Sequence, residues 1–213
     1  MAMNLVKLPT GKPNLQLRVS KGHYATSHSH INYYIDVTLT KFRLSEARAA
    51  AQELVRSYRG TTIIDTILCL DGTEVIGACM GSELTKAGYS NMNAHQTIYV
   101  VTPEHTTGSQ LIFRENTAPM IQDKHVLVLA ASVTTSGYTV QGAVEAIRYY
   151  GGEPAGVTAI FATVDNCAGY PVASIFDPHD LPDYQSYDAH SCPWCKEGKK
   201  IDALVNSFGY SSL

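Results

Sequence analysis

Apolar residues fall along this chain in short runs separated by polar, turn-forming segments, and the period of each run predicts its element. Leu15–Val19 alternates with period two, and Ile31–Leu39 alternates through Tyr33, Ile35, Val37 and Leu39, so residues 1–40 read as a β-rich lead-in. The intervening Lys21–His30 reads as a solvated polar loop holding His23, His28 and His30. Ser45–Tyr58 carries Ala47, Ala50, Ala51, Leu54 and Val55 at helical spacing behind a Ser45 cap, and Gly60 stops it. Thr62–Leu70 reads as a buried strand running into the turn Asp71-Gly72-Thr73, with a helix over Glu74–Ala87 and a strand over Thr97–Val101. Thr102–Gln122 is polar and turn-rich apart from the strand-like Leu111–Arg114.

The most informative stretch is Lys124–Asp165. Its apolar strand, Val126–Ala131, runs into the hydroxyl-rich Ser132–Thr139. A helix follows over Val140–Tyr150, and Gly156–Ala162 is the next buried strand. Tyr170–Phe176 predicts a short strand, Asp177–Tyr187 an irregular connection, and the segment after Cys195 a short charged helix and a plain tail. Strands alternating with helices predict an α/β fold with a mostly parallel sheet. Ligands bind such sheets beyond the C-terminal strand ends, where the Asp71 turn, Thr102–Gln122 and the Thr134 loop emerge. A strand that delivers a Ser/Thr/Gly loop onto a helix N-terminus offers free N–H groups, the helix dipole and hydroxyl donors to an anion. The plainer alternative is an ordinary strand-to-helix turn capped by hydroxyls.

Length and composition narrow the choice. A chain of 213 residues is one domain, and 45% hydrophobic content is that of an ordinary globular protein. A net charge of −3 gives no electrostatic reason to expect nucleic acid or an anionic membrane as partner. No apolar run is long enough to span a bilayer, and the N-terminus lacks the apolar region of a signal peptide. The five cysteines are odd in number, and three lie in or beside apolar runs, which predicts free thiols and a cytoplasmic location. Cys192-Pro193-Trp194-Cys195 is open to three readings: half of a Zn2+ site, a redox dithiol, or a plain turn. A zinc site needs two further ligands, for which Cys167, His179 and His190 are the candidates.

Val126-Leu127-Val128-Leu129-Ala130-Ala131-Ser132-Val133-Thr134-Thr135-Ser136-Gly137-Tyr138-Thr139 resembles the diphosphoribosyl-binding signature of type I phosphoribosyltransferases. Ser27–Asp36, with Tyr33 and Tyr34, resembles the hood of the orotate enzymes. The resemblance covers roughly residues 20–165 in the same order. It implies a type I phosphoribosyltransferase fold, with an α/β core over 41–165 and a hood and appendage from 1–40 and 166–213. It implies 5-phosphoribosyl diphosphate or a nucleotide monophosphate as ligand, Mg2+ on the diphosphate, transfer to an orotate-like nucleobase, and a homodimer. By the same resemblance Thr134, Thr135, Ser136, Gly137, Tyr138 and Thr139 would bind the 5′-phosphate, and Asp71, Gly72 and Thr73 the diphosphate. Tyr33 and Tyr34 would flank the base, and His105 and Arg114 would serve catalysis from a closing loop. Where the family carries an acidic pair at the ribose, this chain has Ala131 and Ser132. The resemblance therefore implies either an enzyme with altered ribose contacts or a weak or inactive regulatory protein that binds the same ligands.

Overall fold

The computed structural model describes residues 3–12, 14–88, 91–94, 96–108, 110–134 and 136–213. The first third of the chain forms β1 (Val6–Leu8), β2 (Leu17–Ala25), β3 (Ser29–Asp36), α1 (Thr38–Phe42), α2 (Leu44–Leu54) and β4 (Thr66–Cys69). It continues through α3 (Glu74–Leu84), β5 (Tyr99–Val101), β6 (Glu104–His105), β7 (Leu111–Ile112), β8 (His125–Val133) and α4 (Tyr138–Tyr149). The remainder forms β9 (Glu153–Ala162), β10 (Asn166–Cys167), β11 (Tyr170–Phe176), β12 (Ser186–Asp188), α5 (Pro193–Lys196), β13 (Ala203–Asn206) and β14 (Gly209–Ser212).

The central sheet has the order β10-β11-β9-β8-β4-β5, and all its strands except β10 pair in parallel. Parallel strands buried on both faces need continuous apolar runs, and the side chains divide accordingly. Ile67, Cys69, Leu127 and Leu129 pack on one face with Ala47, Ala51 and Leu54 of α2 and Ile76 and Met80 of α3. Leu68, Val126, Val128 and Ala130 pack on the other with Val140, Ala143, Val144 and Ile147 of α4. The expected α/β core with helices on both faces of a mostly parallel sheet is what the chain forms.

A second sheet, ordered β12-β3-β2-β13-β14 with β1 beside β2, forms the hood. Its composition differs from the sequence reading in three places. Lys21–His30 is mostly strand, so that His23 lies in β2 and His30 in β3. The plain tail is the hairpin β13–β14, whose first strand pairs in parallel with β2. Residues 166–176 extend the central sheet through β10 and β11, so the hood's C-terminal share begins only with β12. Of these strands, β12, β13 and β14 are too short for a period-two signal, and β12 and β13 pair with β3 and β2 far away in sequence. Helix α3 also stops at Leu84, before the expected Ala87, and α2 passes into a 3-10 turn over Val55–Ser57.

A buried ion pair ties hood to core. The Arg18 guanidinium of β2 donates both ways to the Glu46 carboxylate of α2, with two N···O distances of 2.8 Å. Both residues are 6% exposed. Removing one partner strands a charge away from water. Arg18→Met is therefore expected to lower the unfolding free energy by about 3–5 kcal/mol, and Arg18→Met with Glu46→Met to recover most of that loss. Urea denaturation of the three proteins checks it, and a double variant no more stable than Arg18→Met would contradict it.

Candidate functional site

From β4 the sheet grows one way to β5, and from β8 it grows the other way through β9 to β11. Neighbouring parallel strands whose connections depart in opposite directions leave a crevice at their C-terminal ends. The turn after β4 and the loop after β8 border that crevice. The hood covers it, leaving a cavity of about 570 Å3, a volume usual for small-molecule sites.

The turn after β4 places Asp71 and Gly72 in left-handed conformations, at φ 59° and 76°. Asp71 lines the cavity, and its carboxylate accepts hydrogen bonds from the Ala131 N–H at 3.3 Å and the Ser207 hydroxyl at 3.1 Å. The buried Lys41 ammonium donates to the carbonyls of Asp71 and Ser207, each at 2.7 Å. Burial lowers the Lys41 pKa, against the pull of Asp71, Glu74 and Asp36. The Thr73 hydroxyl points inward to the Leu70 and Leu129 carbonyls at 2.8 and 3.2 Å. Of the three residues predicted for this turn, Asp71 is the one that faces the cavity.

The loop after β8 brings Thr134, Ser136, Gly137, Tyr138 and Thr139 to the cavity, with Ala131 and Ser132 beside them. Thr135 lies outside the described residues. Gly137 sits at φ 57° as the N-cap of α4, its N–H donating to the Thr134 carbonyl at 3.0 Å. Gly137 has no side chain with which to cap α4, and among the described residues no side chain bonds its first-turn N–H groups. Cys167 packs beneath: a Cβ on Gly137 would stand 2.5 Å from the Cys167 Sγ. Only glycine meets both the backbone angle and the close approach.

The hood supplies Tyr33, Tyr34 and the turn Thr26–Ser29, and the His28 and Tyr138 rings meet at 5.1 Å between centroids. Burial pushes the phenols of Tyr34 and Tyr184 up to about 12, so both present neutral O–H groups near pH 7. Asp71 and Asp188 are the acids among the described lining residues, which include no Lys or Arg. His105 and Arg114 are not brought to the cavity. His105 is in the β6–β7 ribbon, while Arg114 is engaged by Glu104 with N···O distances of 2.6–3.1 Å.

Cys192 and Cys195 converge on His23 and His30. The other residues considered as their partners lie elsewhere: Cys167 is under Gly137, His179 is on Asp177 at 2.9 Å, and the exposed His190 is outside the cluster. The reading of His23 and His30 as solvated loop residues is also corrected, since they are 0% and 7% exposed. A pairing register that shifts between Lys21 and Tyr24 marks an irregularity of the kind that re-aims a side chain. Nothing in the local pattern shows it; the cue in the sequence was the two histidines themselves.

An α/β chain with a hooded cavity and a helix N-terminus at the sheet's switch point belongs to a recognisable architectural class. The chain matches no family model. Its structure superposes on that of Mycobacterium tuberculosis H37Rv orotate phosphoribosyltransferase in complex with Fe(III) dicitrate, with a TM-score of 0.50 at 17% identity over 78% of this chain and 92% of that one. Trypanosoma brucei adenine phosphoribosyltransferase, in complex with AMP, pyrophosphate and ribose-5-phosphate, gives a TM-score of 0.51 at 14% identity over 86% and 90%. Against Leishmania donovani UMP synthase the TM-score is 0.49 at 18% identity; the match covers 71% of this chain and spans 31% of that one. The chain has the type I phosphoribosyltransferase fold.

Gly137→Ala is expected to destabilise the protein by roughly 1–3 kcal/mol, through the left-handed backbone and the Cys167 contact. Adding Cys167→Ala should recover the steric share. Thermal denaturation reads both effects, and a Gly137→Ala protein as stable as the parent would contradict the geometry.

Proposed function

We propose that the cavity binds a 5-phosphoribosyl compound, either 5-phosphoribosyl diphosphate or a nucleotide monophosphate. The observation that carries this reading is the placement of Thr134, Ser136, Gly137, Tyr138 and Thr139 around the N-terminus of α4, on the cavity at the switch point. Backbone N–H groups and hydroxyls bind the 5′-phosphate there, with the helix dipole favouring negative charge. The sugar lies over Ala131 and Ser132, and the base is flanked by Tyr33 and Tyr34 under the hood.

In its enzymatic form the reading is phosphoribosyl transfer to an orotate-like nucleobase. The C1–O bond to diphosphate breaks and a C1–N bond to the base forms. Mg2+ takes one or two carboxylates together with phosphate oxygens and water, and Asp71, a carboxylate bordering the cavity, fits that donor set. When bound there, the ion supplies charge neutralisation for the departing diphosphate.

A second reading, a binding protein with little or no turnover, draws on the electrostatics. Ala131 and Ser132 put no charge beside the sugar, where positive charge develops in the transition state. Missing stabilisation of this type costs about 10²–10³-fold in rate. The described lining residues also include no Lys or Arg to meet a diphosphate. A homodimer and a cytoplasmic location belong to the same proposal, the second supported by five free cysteines.

Ligand at one hundred times its Kd is expected to add about 2.7 kcal/mol of stability, which is roughly 5–11 °C in Tm for a chain of this size. The panel is 5-phosphoribosyl diphosphate and nucleotide monophosphates, read by thermal shift; no shift with any of them overturns the proposal. Mg2+-dependent consumption of 5-phosphoribosyl diphosphate across a panel of bases then separates the two readings. Ala131→Asp with Ser132→Asp should raise turnover if the rest of the site is competent.

A further inference from the structure

In the hood, four ligating side chains that do not line the proposed ligand cavity share one point. Cys192 and Cys195 come from the start of α5, His23 from β2 and His30 from β3. Their ligand atoms all lie within 4.8 Å of one another. His23 Nε2 stands 3.6 Å from Cys192 Sγ, 3.7 Å from Cys195 Sγ and 3.0 Å from His30 Nδ1. Cys195 Sγ stands 3.2 Å from His30 Nδ1. A tetrahedral ion with Zn–S bonds of about 2.3 Å and Zn–N bonds of about 2.05 Å sets S···N edges at roughly 3.6 Å and N···N edges at roughly 3.3 Å. The four distances above lie within about 0.4 Å of those edges.

We infer that His23, His30, Cys192 and Cys195 form a structural Zn2+ site that clasps the C-terminal segment to the hood. Tetrahedral coordination by two sulfurs and two nitrogens suits zinc among the common divalent ions. The outer shell supports the assignment independently of the four distances. His23 Nδ1 lies 3.1 and 3.2 Å from the Lys199 and Lys200 carbonyls, which can only accept, so Nδ1 carries the proton. That tautomer aims the lone pair of Nε2 into the cluster, the arrangement metal-bound histidines have. His23 is wholly buried, Cys192 is 1% exposed, and the Trp194 ring covers His23 edge-on at 5.4 Å. A redox Cys-x-x-Cys pair gives no reason for two imidazoles to be directed at its sulfurs.

The clasp bears on two walls of the cavity. His30 pairs with Tyr187 of β12, and Tyr187 and Asp188 line the cavity. The His23 N–H donates to the Asp202 carboxylate at 2.7 Å, and the Asp202 N–H returns a bond to the His23 carbonyl at 2.8 Å. Asp202 opens the β13–β14 segment, whose Ser207 reaches the Asp71 carboxylate. Zinc would thus hold in place both the outer strand of the hood and the strap across the Asp71 turn.

Metal analysis of the purified full chain, prepared without chelator and reconstituted with Zn2+ under reducing conditions, is expected to give about one Zn2+ per chain. Co2+ exchanged into the wild-type protein should show the visible bands of a tetrahedral ion together with thiolate charge transfer. Cys192→Ser and Cys195→Ser should each lower the zinc to below about 0.2 equivalent, while Cys167→Ala and His190→Ala keep it. The inference is overturned by a wild-type protein that stays below about 0.2 equivalent after reconstitution. Octahedral Co2+ spectra overturn it as well, as does zinc retained in Cys192→Ser and Cys195→Ser. The wild-type measurements stand even if a variant does not fold, and none of them depends on ligand binding in the cavity.

Discussion

The parallel pairing of β4 with β8, from Thr66 opposite Val126 to Cys69 opposite Leu129, is the constraint on which the rest depends. Because the chain leaves these two strands toward opposite edges of the sheet, their C-terminal ends have no crossover packed over them. The gap is bordered by the Asp71 turn on one side and the Gly137 loop on the other. Asp71 ties its turn to the end of β8, since its carboxylate accepts the Ala131 N–H. Both loops use backbone conformations that favour glycine, at Asp71, Gly72 and Gly137.

The hood turns this open crevice into a cavity, and polar contacts hold it together with the packing of Leu17, Val19 and Tyr33 on the core. Arg18 and Glu46 join it to α2. Lys41 joins the Asp71 turn to Ser207, with its ammonium 5.2 Å from the centroids of both the Phe42 and Phe208 rings. Each contact spans elements distant in sequence, and each buries a charge that destabilises the fold if its partner is lost. The hood's own apolar cluster is small, with Tyr24, Tyr34, Ala203 and Val205 as its buried members. A sheet with so small a core gains most from a covalent or metal tie, which is the physical setting of the Cys192–His23 cluster.

How much of this was legible in the sequence follows from the same division. The core was legible because β4, β8 and β9 are buried on both faces and so read as unbroken apolar runs; Tyr170–Phe176 was placed to the residue. The loop after Val133 was legible because its hydroxyls and glycine sit between such a strand and an amphipathic helix. The hood was not. Its strands β12, β13 and β14 are three or four residues long, too short for period two to stand out. His23 in β2 is satisfied by carbonyls 176 and 177 residues away and faces Cys192 across 169 residues. No local pattern records such a partner. Cys192 and Cys195 could be singled out by their spacing, whereas their two imidazole partners needed the three-dimensional pairing of β2 with β3.

A crystal structure grown with ribose-5-phosphate at saturating concentration tests the proposed site most directly. The phosphate is expected on the N-terminus of α4, held by the Ser136–Thr139 backbone and the hydroxyls of the Thr134–Thr139 loop, with the sugar over Ala131 and Ser132. A phosphate bound elsewhere, or a cavity holding only solvent at that concentration, would contradict it.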